Sequence, residues 1–154
     1  MEITDVRSGM QKAIIIKEVT EDDFKIITKK RFSFTWKTFK KTTIIYTLQI
    51  DGEEDILGLM GLIDLPEEKR IEIKLLACSL ENIGKEKRYD GIAGCLIAFA
   101  CRQAVSKYQD HACISLIPKT ILTKHYMKKY YMQSAGRQLY LEGNSLLKIL
   151  REYI

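Results

Sequence analysis

Long apolar runs are missing from this chain. Its longest charge-free apolar stretch, 91–101, falls well short of the roughly 18 residues that a bilayer-spanning helix needs. Proline is scarce, with two residues in 154, and the nine glycines follow no repeat. Collagen-like, low-complexity and solenoid architectures are therefore excluded. The four cysteines, Cys78, Cys95, Cys101 and Cys113, form no Cys-x-x-Cys pair. In apolar surroundings they read as reduced, buried small hydrophobes rather than a disulfide frame. Only His111 and His125 offer imidazole, so no metal centre is expected. The opening Met1-Glu2-Ile3-Thr4-Asp5 carries acids where a secretory leader carries bases, and the expected location is the cytoplasm.

What is present suits a single domain over 1–154. With 46% hydrophobic and 29% charged residues, a chain this long buries about two-thirds of its unfolded surface. The 25 Lys and Arg against 20 Asp and Glu leave a net charge of +5. These cations are spread over Lys29-Lys30-Arg31, Lys40-Lys41, 85–88 and 119–129. No nucleic-acid motif organises them, which makes a small basic nucleic-acid-binding protein the weakest reading.

The elements follow from pattern. Residues 13–19 are β-branched and predict a strand. Thr20 before Glu21-Asp22-Asp23 supplies a hydroxyl cap and first-turn acids for a helix to about Lys30. Residues 31–36 alternate as an extended connector. Strands over 43–50 and 55–65, joined at Asp51-Gly52, predict a hairpin. After Pro66-Glu67-Glu68 comes a central strand over 70–78, alternating first and fully apolar at its end. A buried helix over 91–108, a strand at 113–117, a helix over 122–131 and a strand over 137–141 follow. Asn144 is read as the cap of a closing helix with Leu146, Leu150 and Tyr153 on one face. The expected fold class is α/β (α+β): a mixed, mostly antiparallel central sheet flanked by helices.

One junction carries the chemistry. Between the central strand and the buried helix lies Lys85-Glu-Lys87-Arg88-Tyr89-Asp90-Gly91-Ile92-Ala93-Gly94. Backbone N–H groups at a helix start lack intrahelical acceptors, and small residues let a phosphate approach them. Lys85, Lys87 and Arg88 add the positive charge that a pyrophosphate needs. The plainer alternative is that Gly91 and Gly94 only let the helix sit close to the sheet.

Arg88-x-x-Gly91-x-Ala93, placed between a central strand and a long helix, resembles the Arg/Gln-x-x-Gly-x-Gly/Ala signature of the GNAT superfamily of acyl-CoA-dependent N-acyltransferases. The resemblance extends over about 13–142. It implies a GNAT-like sheet, here with an extra C-terminal helix, and acetyl-CoA or another acyl-CoA as cofactor. It further implies that the backbone of Leu76, Ala77 and Cys78 holds the pantetheine arm. Arg88, Asp90, Gly91, Ile92, Ala93 and Gly94 would hold the pyrophosphate through main-chain N–H groups. Three features depart from the family: a longer loop between Cys78 and Arg88, Tyr131-Met132 where a Gly-Phe is common, and the closing helix. If Tyr131-Met132 stands for Gly-Phe, Met127 occupies the position of the family's usual tyrosine.

Acyl transfer to an amine needs a base for the ammonium proton and an acid for the departing thiolate. Tyr126 or Tyr130 is the candidate acid, each also readable as a core aromatic. Glu72 on the central strand and His125 are candidate bases, beside a water relay to main chain. The expectation is an N-acyltransferase, most simply an acetyltransferase, acting on a small-molecule or peptide amine. A CoA-binding module without turnover is the alternative. No membrane partner is expected. The terminal helix is open to two uses: a homodimer interface, or cover for its own chain.

Overall fold

The computed structural model describes residues 1–27, 31–32 and 42–154. Nine strands form one sheet: β1 (Glu2–Asp5), β2 (Gln11–Glu18), β3 (Ile44–Ile50), β4 (Ile56–Leu65), β5 (Arg70–Cys78), β6 (Tyr89–Asp90), β7 (Cys113–Leu116), β8 (Gln133–Ala135) and β9 (Gln138–Glu142). Four helices accompany them: α1 (Glu21–Ile26), α2 (Ile92–Tyr108), α3 (Thr123–Lys129) and α4 (Gly143–Tyr153). The spatial order is β6-β1-β2-β3-β4-β5-β7-β9-β8. Every neighbouring pair is antiparallel except β5 with β7, which run parallel.

The expected fold class holds, with local differences. Thr20 and Asp23 form a reciprocal capping box on α1, the arrangement that satisfies two otherwise orphaned amides. The helix ends sooner than expected, because Ile27 is already extended at ψ 111°. Most of the connector expected over 31–36 lies outside the described residues. Asn144 is not the cap of α4; Glu142 holds that position, and Gly143 takes φ 55° just inside the helix. β1, β6 and β8 are additions that the sequence pattern did not announce.

The core has two parts. The larger joins one sheet face to α2 and α4 through residues such as Leu96, Ile97, Ile114, Leu141, Leu146 and Ile149. The smaller comprises Ile27, Phe32, Ile45, Ile56, Leu59 and Leu75. The apolar face of α4 is thus spent within its own chain: Leu146 and Ile149 are buried, and Leu150 and Tyr153 lie against the same cluster. α2 comes very close to the sheet at Gly58, where a Cβ would stand 2.8 Å from Ile92 Cγ2 and 3.1 Å from Leu96 Cδ1. That glycine sets how near the start of α2 lies to β4.

A bulge in β5 reverses its faces. Gly61 pairs with Leu75 and Leu62 with Ile73, leaving Lys74 as the extra residue. Because side chains alternate with a period of two, one inserted residue moves all later ones to the other side. Accordingly Ile71 and Ile73 belong to the larger cluster, Leu75 to the smaller, and Leu76 and Cys78 return to the larger.

Candidate cofactor cleft and active site

β5 and β7 part company. Their parallel pairing runs from Arg70 with Cys113 to Ile73 with Leu116 and stops there. β7 ends at Leu116, two residues before Pro118, which has no N–H to donate to a ladder. β5 continues through Lys74, Leu75, Leu76, Ala77 and Cys78, hydrogen-bonded to β4 on one side and without a strand on the other. Between the diverging strands opens a cleft of about 680 Å³. Leu76, Ala77 and Cys78 line one wall; His125, Tyr126 and Tyr130 stand on the other.

The start of α2 closes one end. Gly91 is its cap, at φ 101° and ψ 1°, a conformation that side chains with a Cβ rarely adopt. The first intrahelical bond runs from the Cys95 N–H to the Gly91 carbonyl at 2.9 Å. Among the described residues, no protein acceptor takes the N–H groups of Ile92 or Gly94. The Ala93 N–H faces the Cys78 sulfur, and the Gly91 N–H favours the ionised Asp90 carboxylate. Gly91, Ile92 and Ala93 all border the cleft. Free donors at a helix start, with the helix dipole behind them, suit an anion.

The loop before α2 is held in place by residues the sequence reading had not singled out. Asn82 is buried; its Nδ2 donates to Ser79 Oγ at 2.8 Å, and its Oδ1 accepts from the Tyr89 N–H at 2.9 Å. Arg31 pairs with Asp55 at 2.6 Å and with Glu81. Asn82, Ile83 and Gly84 consequently line the cleft. A buried amide flanked by a serine and two glycine turns is the local signal that could have marked this loop as ordered.

Two of the residues expected at the phosphate, Arg88 and Gly94, do not line the cleft. The Arg88 guanidinium is engaged by Asp5, with Nε 3.2 Å from Oδ1 and Nη2 3.1 Å from Oδ2, and lies over the Tyr89 ring. It does not border the cleft. The reason is Asp5, a carboxylate only 5% exposed, which requires a charged partner when removed from water. Gly94 is also absent from the lining: its Cα hydrogen side faces Tyr153, whose ring carbons would lie 2.2 Å from a Cβ there. That glycine admits α4 against α2, in keeping with the plainer alternative for its role.

The Arg88 hydrogen bond holds the Asp5 carboxyl below its ordinary range, desolvation opposing. A depressed carboxylate pKa stabilises the fold above the unfolded-state value, near 4, and that contribution is lost as pH falls through the folded value. Arg88→Met is therefore expected to lower stability in urea melts at pH 6. The gap to the parent should close as the melts are repeated toward pH 3.

Glu72 lies outside the cleft lining as well. It precedes the bulge, on the face opposite Ile71 and Ile73, and its Oε1 is 3.5 Å from Lys74 Nζ. The α3 side carries the more suitable groups. Tyr126 is raised above the ordinary tyrosine pKa by burial and then by Cys78. Tyr130, 3% exposed, is raised further, also chiefly by burial. His125 is edge-on to both rings, with centroids 5.8 Å away in each case. Burial pushes the Cys78 thiol up to about 11, against the pull of Lys87, the Ala93 N–H and Lys129, so it stays a neutral wall residue at pH 7. Lys74, Lys87, Lys119 and Lys129 border the cleft, with Asp90 as the single carboxylate among its lining residues. Among the described residues, no cluster of three or more metal-binding side chains occurs, and no helix is long and apolar enough to cross a membrane.

No family model and no curated protein sequence matches the chain. Solved structures do. Spermidine/spermine N-acetyltransferase SpeG from Vibrio cholerae, crystallised with manganese ions, superimposes with a TM-score of 0.63 at 12% identity, over 92% of this chain and 98% of that one. An acetyltransferase of Bacillus anthracis assigned to streptothricin, solved with acetyl coenzyme A, gives 0.63 at 13% identity, covering 85% and 100%. IAA acetyltransferase from Bacillus cereus gives 0.57 at 12% identity, covering 85% and 100%. The chain has the GNAT fold. In that fold the turn after α3 commonly carries Gly-Phe; here Tyr131 takes φ 60° and Met132 is 3% exposed. Met127 is exposed and outside the cleft lining.

Proposed function

We propose that this chain is an acyl-CoA-dependent N-acyltransferase of one domain, with acetyl-CoA as donor and a small-molecule or peptide amine as acceptor. The observation that carries the reading is the joint presence of parted strands and a helix start with free amides at one end of the same cleft. Donor sets of this kind fit the two polar parts of the cofactor. Peptide groups of Leu76–Cys78 lack a strand partner on the cleft side and match the amides of a pantetheine arm. The free N–H of Ile92, with Lys87 and Lys129, matches a diphosphate. The acetyl-CoA reported for the Bacillus anthracis neighbour supports the same choice.

Acetyl-CoA supplies a thioester whose carbonyl carbon accepts the amine nitrogen as the carbon–sulfur bond breaks. Tyr126 borders the cleft and keeps its hydroxyl proton well past neutral pH, so it is assigned to protonate the leaving sulfur. His125, exposed at the cleft wall, is assigned to take the ammonium proton, directly or through water. Tyr130 is assigned a supporting place beneath both rings. A CoA-binding module without turnover is favoured by one observation, the outward Met127.

The test has two stages. Millimolar acetyl-CoA is expected to raise the melting temperature, since it binds the folded chain alone. Release of free CoA thiol in the presence of an amine panel is then expected above the rate without amine. No thermal shift overturns the reading; a shift without thiol release assigns the chain to the binding module.

A further inference from the structure

The anion site at the start of α2 already contains an anion of its own. Asp90 immediately precedes Gly91, whose N–H helps hold the carboxylate ionised. Its Oδ1 lies 2.7 Å from Lys87 Nζ and 4.0 Å from Lys129 Nζ. Both lysines border the cleft, and both act on Cys78 in its wall. One carboxylate thus draws together the helix-start donor and the two cations nearest to it. The arrangement is partly exposed, with the Asp90 side chain at 49%, so water and ligands reach it.

We infer that Asp90 is a resident stand-in for phosphate, which a diphosphate ligand must displace from Lys87 and Lys129 and which therefore weakens cofactor binding. The inference rests on the acyl-CoA reading and adds a regulator of its affinity. A diphosphate entering the cleft gains two cations and several N–H groups. It also meets the fixed negative charge that Lys87 and Lys129 already face, and like charges brought close repel. Lys87 and Lys129 cannot serve both acceptors fully. With Asp90 neutral, the lysines are free for the ligand and the repulsion is gone. Keeping the cofactor loosely held suits a cleft that must release free CoA after each transfer.

The experiment compares the parent chain, Asp90→Asn and Lys87→Gln by titration calorimetry with CoA, inorganic pyrophosphate and pantetheine. Asp90→Asn is expected to bind CoA and pyrophosphate about tenfold more tightly and pantetheine unchanged, because pantetheine carries no phosphate. Lys87→Gln is expected to weaken CoA binding several-fold. Circular dichroism melts of each variant establish that the fold is retained. Equal or weaker CoA binding by a folded Asp90→Asn overturns the inference alone, since Asp90 would then orient the lysines for the ligand. A parent and an Asp90→Asn chain that both fail to bind CoA or pyrophosphate overturn the acyl-CoA reading and the inference with it.

Discussion

Gly91→Val is expected to abolish the thermal stabilisation that acetyl-CoA gives the parent chain. Gly91 sits at φ 101° with ψ 1°, where a β-branched residue is strained by about 1–3 kcal/mol. A Cβ there would stand 3.9 Å from the Cα and Cγ2 of Ile3 on β1. The valine branches therefore press toward β1 or toward the cleft, and relief of the strain turns the first amides of α2 away. For the parent, cofactor at a hundred times its dissociation constant adds about 2.7 kcal/mol, a shift of roughly 5–10 °C for a domain of this size. The variant should melt lower without ligand and show no shift with it. Differential scanning fluorimetry of both chains with acetyl-CoA checks this, and a full shift in the variant would show that the helix start is not the binding determinant.

Tyr126→Phe is expected to lower kcat by about a hundredfold and leave the acetyl-CoA thermal shift in place. Proton donors positioned at a leaving group contribute about 10²–10⁴, and the ring's apolar contacts survive the change. Tyr130→Phe serves as the contrast. Tyr130 is 3% exposed and central to the cluster with His125, Tyr126 and Tyr153, so its loss should cost stability more than turnover. The pH profile gives a second readout. Because the Tyr126 pKa is raised by burial, its acid form is complete at neutral pH. Activity should then show no loss on the alkaline side of neutral from deprotonation of this acid. Equal kcat for Tyr126→Phe and parent would remove Tyr126 from the reaction.

The parts of the molecule legible in the sequence were those set by local forces. Thr20 and its following acids announced a capped helix, and Arg70–Cys78 was readable as the central strand, because capping and β-branched pattern act within a few residues. Gly91 was readable for the same reason: a glycine at a strand-to-helix turn has few other uses. The bulge at Lys74 was hidden by the run Leu75-Leu76-Ala77-Cys78, since four apolar residues in succession carry no mark of which face each takes. The fate of Arg88 depended on Asp5, 83 positions away, and no local pattern tells which carboxylate will claim a guanidinium. Gly94 was recognised as a point of close approach, yet its neighbour is Tyr153 from the last helix. β1 and β6 went unseen because each is short and held by pairing, β1 with β2 and β6 with β1, rather than by its own composition.

The same division explains the candidate site. Main-chain groups of Leu76–Cys78 and Gly91–Ala93 follow from element order alone, and these residues line one cleft. Side chains that reach the cleft depend on helix phase. In α3 that phase brings His125, Tyr126, Lys129 and Tyr130 inward and leaves Met127 outside.

Amide spectra of the 15N-labelled chain, recorded during titration with acetyl-CoA and separately with pantetheine, address the anion site most directly. The account predicts that the Ile92, Ala93 and Gly94 amides move with acetyl-CoA and stay in place with pantetheine, whose effects should be confined to Leu76–Cys78. Saturable binding of acetyl-CoA that leaves the Ile92–Gly94 amides unmoved would contradict it.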